Sequence, residues 1–297
     1  MKKLFLVSLI GAFLLTSCNS GNKQAGNDNT NFEGENQQET IAKPTPPKSE
    51  GAIRVLFVGN SHTEYFASFP KMLEALTKEN GKQVEVATLI EMGVSIDKIL
   101  SAHQADANEL FAQTDTDGNY FDYIILQEST PVAIQEEEHY KSDCKTIHDL
   151  AAKNSPNVAT YIYEVMAPFK YGDSDYKDYQ PILSDNAVKV AKSLPNAGVL
   201  KFATVLASAY EGKEGYSAQK DGKDALRHTD SSRHMLNDAV FLNSIVLYQT
   251  LFGETPKIPQ QLPLATGTGD DDEIVLMDVS KGVSNPEALV KIATSYK

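Results

Sequence analysis

The strongest constraint on the fold is the alternation of five short, apolar and largely β-branched runs with segments of helical periodicity. The apolar runs cover residues 53–58, 84–89, 123–127, 159–163 and 199–204, and the helical patterns cover 70–79, 96–111, 139–152, 182–193 and 238–252. Strands that alternate with helices form βαβ units, in which helices cover both faces of a parallel sheet. The sequence therefore predicts the α/β class, with a three-layer α/β/α sandwich around a five-stranded parallel sheet.

The first 17 residues have the composition of a bacterial leader. Two lysines are followed by an apolar stretch over residues 4–15 and by small residues directly before Cys18. This order is typical of a secretory signal peptide, and the stretch is too short for a permanent membrane helix. The segment LLTSC resembles the lipobox of bacterial lipoproteins, in which the cysteine carries the lipid. We expect residues 1–17 to be removed and Cys18 to anchor the protein to a membrane of the cell envelope, outside the cytoplasm. An ordinary secretory signal with an incidental cysteine is the alternative.

Residues 18–50 are rich in Asn, Gln and Gly and end in a Pro-rich run, as is typical of a disordered tether. The predicted folded domain covers residues 51–297. Apart from Cys18 the chain has only Cys144, so no internal disulfide is expected. The formal net charge is −13, and loss of the two leader lysines makes it more negative still. Such a charge argues against nucleic acid as a partner.

Polar or glycine-containing segments follow the first three predicted strands. Residues 59–63 (GNSHT) follow the first strand, residues 91–95 (EMGVS) follow the second, and the third ends in residues 127–131 (QESTP). The last predicted helix is preceded by residues 225–238, which include Asp230 and His234. Parallel strands joined by right-handed crossovers end at one edge of the sheet, where open α/β sheets bind ligands. We therefore expect the functional site at this edge.

Ser61, His234 and Asp230 provide the side chains that nucleophilic catalysis by serine requires. A serine hydroxyl attacks when a base takes its proton and a third group orients that base. We predict Ser61 as the nucleophile, His234 as the base and Asp230 as the orienting acid. The backbone N–H groups of Ser61 and Gly93, with the side-chain amide of Gln127, are the predicted oxyanion-hole donors. This chemistry needs no cofactor and no metal.

The order of these segments resembles the SGNH (GDSL-like) hydrolases, in particular a bacterial branch with a G-N-S-x-T first block and an L-Q-E third block. The resemblance covers residues 52–253 and implies a flavodoxin-like fold and an ester hydrolase. It assigns Ser61 to the nucleophile, Gly93 to the second-block glycine, Gln127 to the position where other branches place an oxyanion asparagine, and His234 to the base. The last block departs from the usual Asp-x-x-His-Pro, because three residues separate Asp230 from His234 and Met follows.

Alternatives to this assignment remain open. His62 adjoins the nucleophile, but adjacent residues on a turn rarely point their side chains at one another. His228 is a second possible base, and Asp238 is a second possible acid, although it is better placed to cap the last helix. A metal-dependent hydrolase would use His228, Asp230 and His234, which lack a helical i, i+4 ligand pair.

The predicted function is a lipid-anchored serine hydrolase that removes small ester groups through an acyl-serine intermediate. The resemblance to envelope lipoproteins implies acetylated carbohydrate as the substrate. The aromatic-rich segment 161–179 is a candidate surface for stacking sugars, although aromatic packing explains it equally well. The alternative function is a non-catalytic carbohydrate-binding lipoprotein that retains the fold, and the altered last-block spacing favours it.

Overall fold

The computed structural model describes residues 41–47, 51–171, 174–228, 234–269 and 272–296. Its centre is one sheet of five strands in the order β2-β1-β3-β4-β5, with every neighbouring pair parallel. The strands are β1 (Ile53–Gly59), β2 (Val84–Ile90), β3 (Tyr123–Leu126), β4 (Ala159–Tyr163) and β5 (Ala197–Leu200). The predicted five-stranded parallel sheet is confirmed.

Two groups of helices cover the sheet. The helices are α1 (Phe69–Glu79), α2 (Ile96–Ala102), α3 (Gln104–Ala112), α4 (Thr130–Gln135), α5 (Glu137–Ala152), α6 (Tyr176–Ser193), α7 (Phe202–Tyr210), α8 (Asn237–Phe252), α9 (Val279–Gly282) and α10 (Pro286–Thr294). Helices α1, α7 and α10 pack against α8, and helices α2, α4 and α6 pack against α5. Right-handed crossovers place these groups on opposite faces, which gives the predicted α/β/α sandwich.

The core follows from the composition of the strands and of α8. Every residue of β3 and β4 is buried, as expected for strands covered on both faces. Helix α8 is buried on almost every side because three other helices enclose it. An antiparallel hairpin of β6 (Gln261–Ala265) and β7 (Ile274–Asp278) is added outside the central sheet. No helix of the described residues is both long and apolar enough to cross a membrane.

Two predicted elements differ from the structure. The predicted strand over residues 199–204 ends at Leu200, and α7 begins at Phe202. The buried residues Phe202, Val205 and Leu206 of α7 recur at helical spacing, which outweighs the continuous apolar run of the sequence. The predicted helix over residues 96–111 is divided at His103, whose φ of −113° interrupts the helical backbone between α2 and α3.

Residues 41–47 pack on the folded domain, although the sequence analysis places them in the tether. The backbone N–H of Thr45 donates to Asn196 Oδ1 (2.8 Å), and Asn196 Nδ2 donates back to the Thr45 carbonyl (2.7 Å). Pro44 is buried against Gly198 of β5, where an added Cβ would lie 2.7 Å from the proline ring. The packed chain therefore begins earlier than the predicted boundary at residue 51.

Candidate active site

The loop after β1 places Ser61 at the switch point of the sheet. The chain runs from β1 to the edge strand β2 and then returns to β3 on the other side of β1. Ser61 lies in a turn closed by a hydrogen bond from the Thr63 N–H to the Asn60 carbonyl (2.8 Å). Ligands of open α/β sheets bind at such a switch point, beyond the carboxyl ends of the strands. The position of Ser61 therefore suits a residue that acts on a ligand.

A cavity of about 470 Å³ opens beside Ser61. The loops after β1, β2 and β3 and the segment before α8 all contribute to its wall. The lining residues are Asn60, Ser61, His62, Gly93, Val94, Ser95, Lys98, Ser129, Thr130, Pro131 and His234. The structure thus brings three of the predicted site residues, Ser61, Gly93 and His234, to one cavity.

The backbone conformation at residue 93 favours glycine. Its φ is +74°, a left-handed conformation that residues with a side chain adopt only at a cost. An added Cβ would meet nothing within 4 Å, so no neighbouring atom of the protein requires the absence of a side chain. The sequence analysis assigns Gly93 as a backbone donor; the structure adds that the left-handed conformation itself favours glycine.

Gln127 lies beneath the serine loop rather than in the wall of the cavity. Its side chain is fully buried, and its Oε1 accepts hydrogen bonds from the Asn60 N–H (2.7 Å) and the Thr63 hydroxyl (3.2 Å). Its Nε2 donates to the carbonyl of Glu128. The side-chain amide predicted as an oxyanion donor is therefore directed to the protein's own backbone, and it shapes the turn that carries Ser61.

Asn60 connects the first loop to the second. Its Nδ2 donates to the carbonyl of Val94 (2.8 Å), and its Oδ1 accepts from the His62 N–H (3.2 Å). The residue adjoining Ser61 therefore fixes the loop of Gly93 relative to Ser61. The sequence analysis did not assign a role to Asn60, although its place inside the GNSHT motif was a signal.

Glu128 connects the third loop to the start of α2. Its fully buried carboxylate accepts hydrogen bonds from the N–H groups of Ser129 and Ile96, the latter at 3.3 Å. Burial raises the pKa of the Glu128 carboxyl to about 8. Together with Gln127 and Asn60, it ties the three loops into one hydrogen-bonded frame around the cavity. A frame of this kind holds reacting groups in place before substrate arrives.

His234 lies directly before α8, at the mouth of the cavity. Its ring stacks on Tyr65, with centroids 4.0 Å apart and planes inclined by 19°. The His228 N–H donates to the His234 carbonyl (2.9 Å), and the His228 ring contacts Phe66 at 4.7 Å. Of the two histidines, only His234 lines the cavity. This placement favours His234 over His228 as the base.

The predicted orienting acid, Asp230, lies outside the described residues; it is also one of the three ligands of the alternative metal site. The second possible acid, Asp238, is buried in α8 and engaged elsewhere. Its Oδ2 accepts from the Tyr216 hydroxyl (2.7 Å), and its Oδ1 accepts from the Ser284 N–H (3.0 Å). Burial raises the pKa of the Asp238 carboxyl. Its contacts thus fix α8 to Tyr216 and to the segment between α9 and α10.

Two other features considered in the sequence analysis, His62 and the aromatic segment 161–179, make contacts within the protein that need no catalytic role. The Nε2 of His62 lies 3.1 Å from the Thr130 hydroxyl, within the wall of the cavity. Tyr161 and Tyr163, from the segment predicted to stack sugars, are buried in β4 as part of the core. Two other aromatic residues lie beside the predicted base: Tyr65, whose exposed fraction is 50%, and Phe66, whose ring centroid is 5.9 Å from that of His234. The sequence analysis missed Tyr65 because its role depends on contact with a residue distant along the chain.

No protein-family model matches the chain, and no curated protein matches it significantly. Solved structures do match it. A protein from Slackia heliotrinireducens assigned to the SGNH hydrolases shares 18% identity at a TM-score of 0.51, covering 68% of this chain and all of that one. A DUF4886 family protein from Bacteroides uniformis shares 14% identity at a TM-score of 0.57, covering 82% of this chain and 94% of that one. The described chain therefore has the fold of the SGNH hydrolases.

Proposed function

We propose that the protein is a serine ester hydrolase that acts through an acyl-serine intermediate. The observation that carries this proposal is the convergence of Ser61, Gly93 and His234 on one cavity at the switch point of the sheet. Each comes from a different segment of the chain. A nucleophile, a base and a backbone donor are the parts that acyl transfer requires. The fold shared with SGNH hydrolases is consistent with this chemistry.

In the proposed reaction, Ser61 Oγ attacks the ester carbonyl while His234 accepts the hydroxyl proton. The developing oxyanion accepts hydrogen bonds from the backbone N–H groups of Ser61 and Gly93. The alcohol leaves with the proton from His234, and the acyl group remains on Ser61. Water then attacks the acyl-serine with His234 again as the base, which releases the carboxylic acid and restores the serine. Asp230 is the proposed partner of the imidazole Nδ1–H.

The proposed substrate is a small ester, with O-acetyl groups on carbohydrate as the favoured class. Tyr65 is the proposed stacking surface for a sugar, because its half-exposed ring lies against His234, which lines the cavity, and an aromatic ring can stack on a pyranose face. We further propose that Cys18 carries the lipid that anchors the protein in the cell envelope. Metabolic labelling with a radioactive fatty acid, compared between the wild type and Cys18→Ala, tests the anchor separately.

The experiment on activity is hydrolysis of a panel of p-nitrophenyl esters from acetyl to octanoyl, beside release of acetate from acetylated xylan. We expect the highest kcat/KM with acetyl. A fluorophosphonate should label the wild type and leave Ser61→Ala unlabelled. Labelling of Ser61→Ala equal to that of the wild type would refute the serine mechanism, and a preference for octanoyl would refute the small-acyl substrate.

A non-catalytic carbohydrate-binding protein is the second candidate. The position of Gln127 favours this candidate, because the side-chain amide of Gln127 donates to the Glu128 carbonyl instead of facing the cavity. The oxyanion donors proposed among the described residues are then two backbone N–H groups. Binding of acetylated xylan without release of acetate or reaction with fluorophosphonate would support this candidate.

A further inference from the structure

A group of metal-ligating side chains lies between α2 and α5, outside the wall of the serine cavity. Asp97 comes from the first turn of α2, and His139 and Asp143 come from successive turns of α5. One potential ligand atom from each lies within 4.8 Å of the others. The i, i+4 spacing on α5 places an imidazole and a carboxylate on the same helix face.

The distances within this group match the coordination shell of a small divalent cation. His139 Nε2 lies 3.3 Å from Asp143 Oδ2 and 3.9 Å from Asp97 Oδ1. Nitrogen and oxygen ligands of a tetrahedral Zn²⁺, at about 2.0–2.2 Å from the metal, lie roughly 3.3–3.5 Å from each other. Ligand atoms of Asp97 and Asp143 lie within 4.8 Å of each other. A cation therefore fits between the three side chains once Asp97, whose Oδ1 accepts from the Ser95 hydroxyl, moves towards the other two.

The surroundings of the three ligands also resemble those of protein metal sites. His139 Nδ1 lies 3.1 Å from Glu136 Oε2, so a neutral ring that donates from Nδ1 directs the Nε2 lone pair at the two aspartates. Metal-bound histidines usually donate their second ring N–H to such an acceptor. The side chain of Asp143 is only 7% exposed and packs beside the buried Glu128 carboxyl. Its orientation is therefore set by the interior of the protein.

The negative charges of Asp97 and Asp143 also favour a bound cation. Ligand oxygens of Asp97 and Asp143 lie within 4.8 Å of each other, and the Asp97 N–H donates to Asp143 Oδ2 (3.4 Å). Among the described residues, Lys98 lies beside these acids: its Nζ is 2.9 Å from Asp97 Oδ2, and its side chain is mostly exposed. Carboxylates brought together in this way are stabilised when a cation lies between them.

We propose that Asp97, His139 and Asp143 bind one Zn²⁺-type divalent cation, with water completing its coordination. The partial exposure of Asp97 and His139 gives the ion access from solvent. None of the three residues lines the serine cavity, so the ion has a structural role: it joins α2, which follows the Gly93 loop, to α5. This proposal does not depend on the proposed esterase function.

The experiment is isothermal titration of the tag-free chain with ZnCl₂ at pH 7.5. We expect one equivalent to bind to the wild type and binding to weaken at least tenfold in His139→Gln. Glu136→Gln should weaken binding roughly tenfold, because it removes the acceptor for the second ring nitrogen. The matched control is His103→Gln. His103 also lies between two carboxylates, Glu91 and Asp106, but each of its nitrogens faces only one of them.

The shift in Tm on addition of Zn²⁺ is a second measurement. It can be made on the wild type alone, so it does not depend on whether a variant folds. Because a ligand of the native state stabilises it by mass action, Zn²⁺ should raise the Tm of the wild type and of His103→Gln, and not of His139→Gln. Lys98→Ala should bind Zn²⁺ more tightly, since the ammonium competes for Asp97. The proposal is overturned if the wild type shows no saturable stoichiometric binding, or if His139→Gln binds Zn²⁺ as well as His103→Gln. The cluster would then be an ion pair of a protonated histidine with its carboxylates.

Discussion

Replacement of Gln127 by alanine distinguishes a structural role, in which its side chain supports the serine loop, from a catalytic role as an oxyanion donor. In its structural role, Gln127 accepts a hydrogen bond from the buried Asn60 N–H (2.7 Å) and donates one to the carbonyl of Glu128. Loss of the Gln127 side chain leaves both backbone groups without a hydrogen-bond partner, at a cost to stability of about 1–3 kcal/mol each. The space left by the side chain lowers stability further. We therefore expect Gln127→Ala to lower the free energy of unfolding by about 3–5 kcal/mol. For a domain of this size that corresponds to a fall in Tm of roughly 6–20 °C.

The assay is thermal unfolding followed by circular dichroism, beside ester hydrolysis at a temperature where both proteins are folded. An oxyanion donor would behave differently, since its removal lowers kcat by roughly 10²–10³ and leaves stability unchanged. A Gln127→Ala variant with wild-type Tm and a hundredfold lower kcat would refute the structural argument and restore the sequence-based assignment.

Gln127→Glu is the matched variant, because it keeps the shape of the side chain. A neutral glutamic acid has one acceptor for the Asn60 N–H and one donor for the Glu128 carbonyl, whereas the ionised form has no donor. Burial at this fully buried position raises the pKa of the new carboxyl above its unfolded value of about 4.3. The folded state then binds more protons than the unfolded state, so stability is present at low pH and is lost as the pH rises. We expect the Tm difference from the wild type to be small near pH 4 and to grow towards pH 8; a difference independent of pH would contradict the proposed hydrogen bonds.

Three further changes test the site. Ser61→Ala should keep the wild-type Tm while abolishing covalent labelling by fluorophosphonate in a gel assay; retained labelling would move the nucleophile elsewhere. His234→Ala should lower kcat/KM at least about 10³-fold and His228→Ala only a few-fold in the same hydrolysis assay, and the reverse order would exchange the two histidines. Gly59→Ala should destabilise the protein by about 1–3 kcal/mol in chemical denaturation, because the new Cβ overlaps the Thr63 hydroxyl in the serine loop; an unchanged midpoint would show that this loop relaxes freely.

The fold was largely predictable because strand and helix signals alternate along the chain. The alternation identified all five central strands and the edge at which Ser61, Gly93 and His234 line one cavity. The end of β5 was predicted wrongly because an apolar run such as residues 199–204 fits a buried strand and a buried helix equally. The β6–β7 hairpin and α10 were not predicted, since short elements that pack outside a regular pattern depend on tertiary contacts.

The site was predictable where a residue follows directly from strand topology. Ser61 and Gly93 follow strands whose ends must meet, so sequence order was enough to place them together. Gln127 also follows a strand, but the sequence does not tell on which side of the sheet edge a side chain lies. The structure directs Gln127 to the serine loop, and it reveals the equivalent connection made by Asn60. Such contacts between loops have no signature in the local sequence.

The packing of residues 41–47 on β5 bears on how the domain behaves in isolation. Pro44 lies against the face of β5 at Gly198, and Thr45 is joined by two hydrogen bonds to Asn196, the residue directly before β5. Loss of such packing and of paired hydrogen bonds destabilises a folded domain. A recombinant domain that starts at residue 51 lacks these contacts, whereas one that starts before residue 41 keeps them. The boundary chosen for expression therefore affects the stability of the end of the sheet at β5.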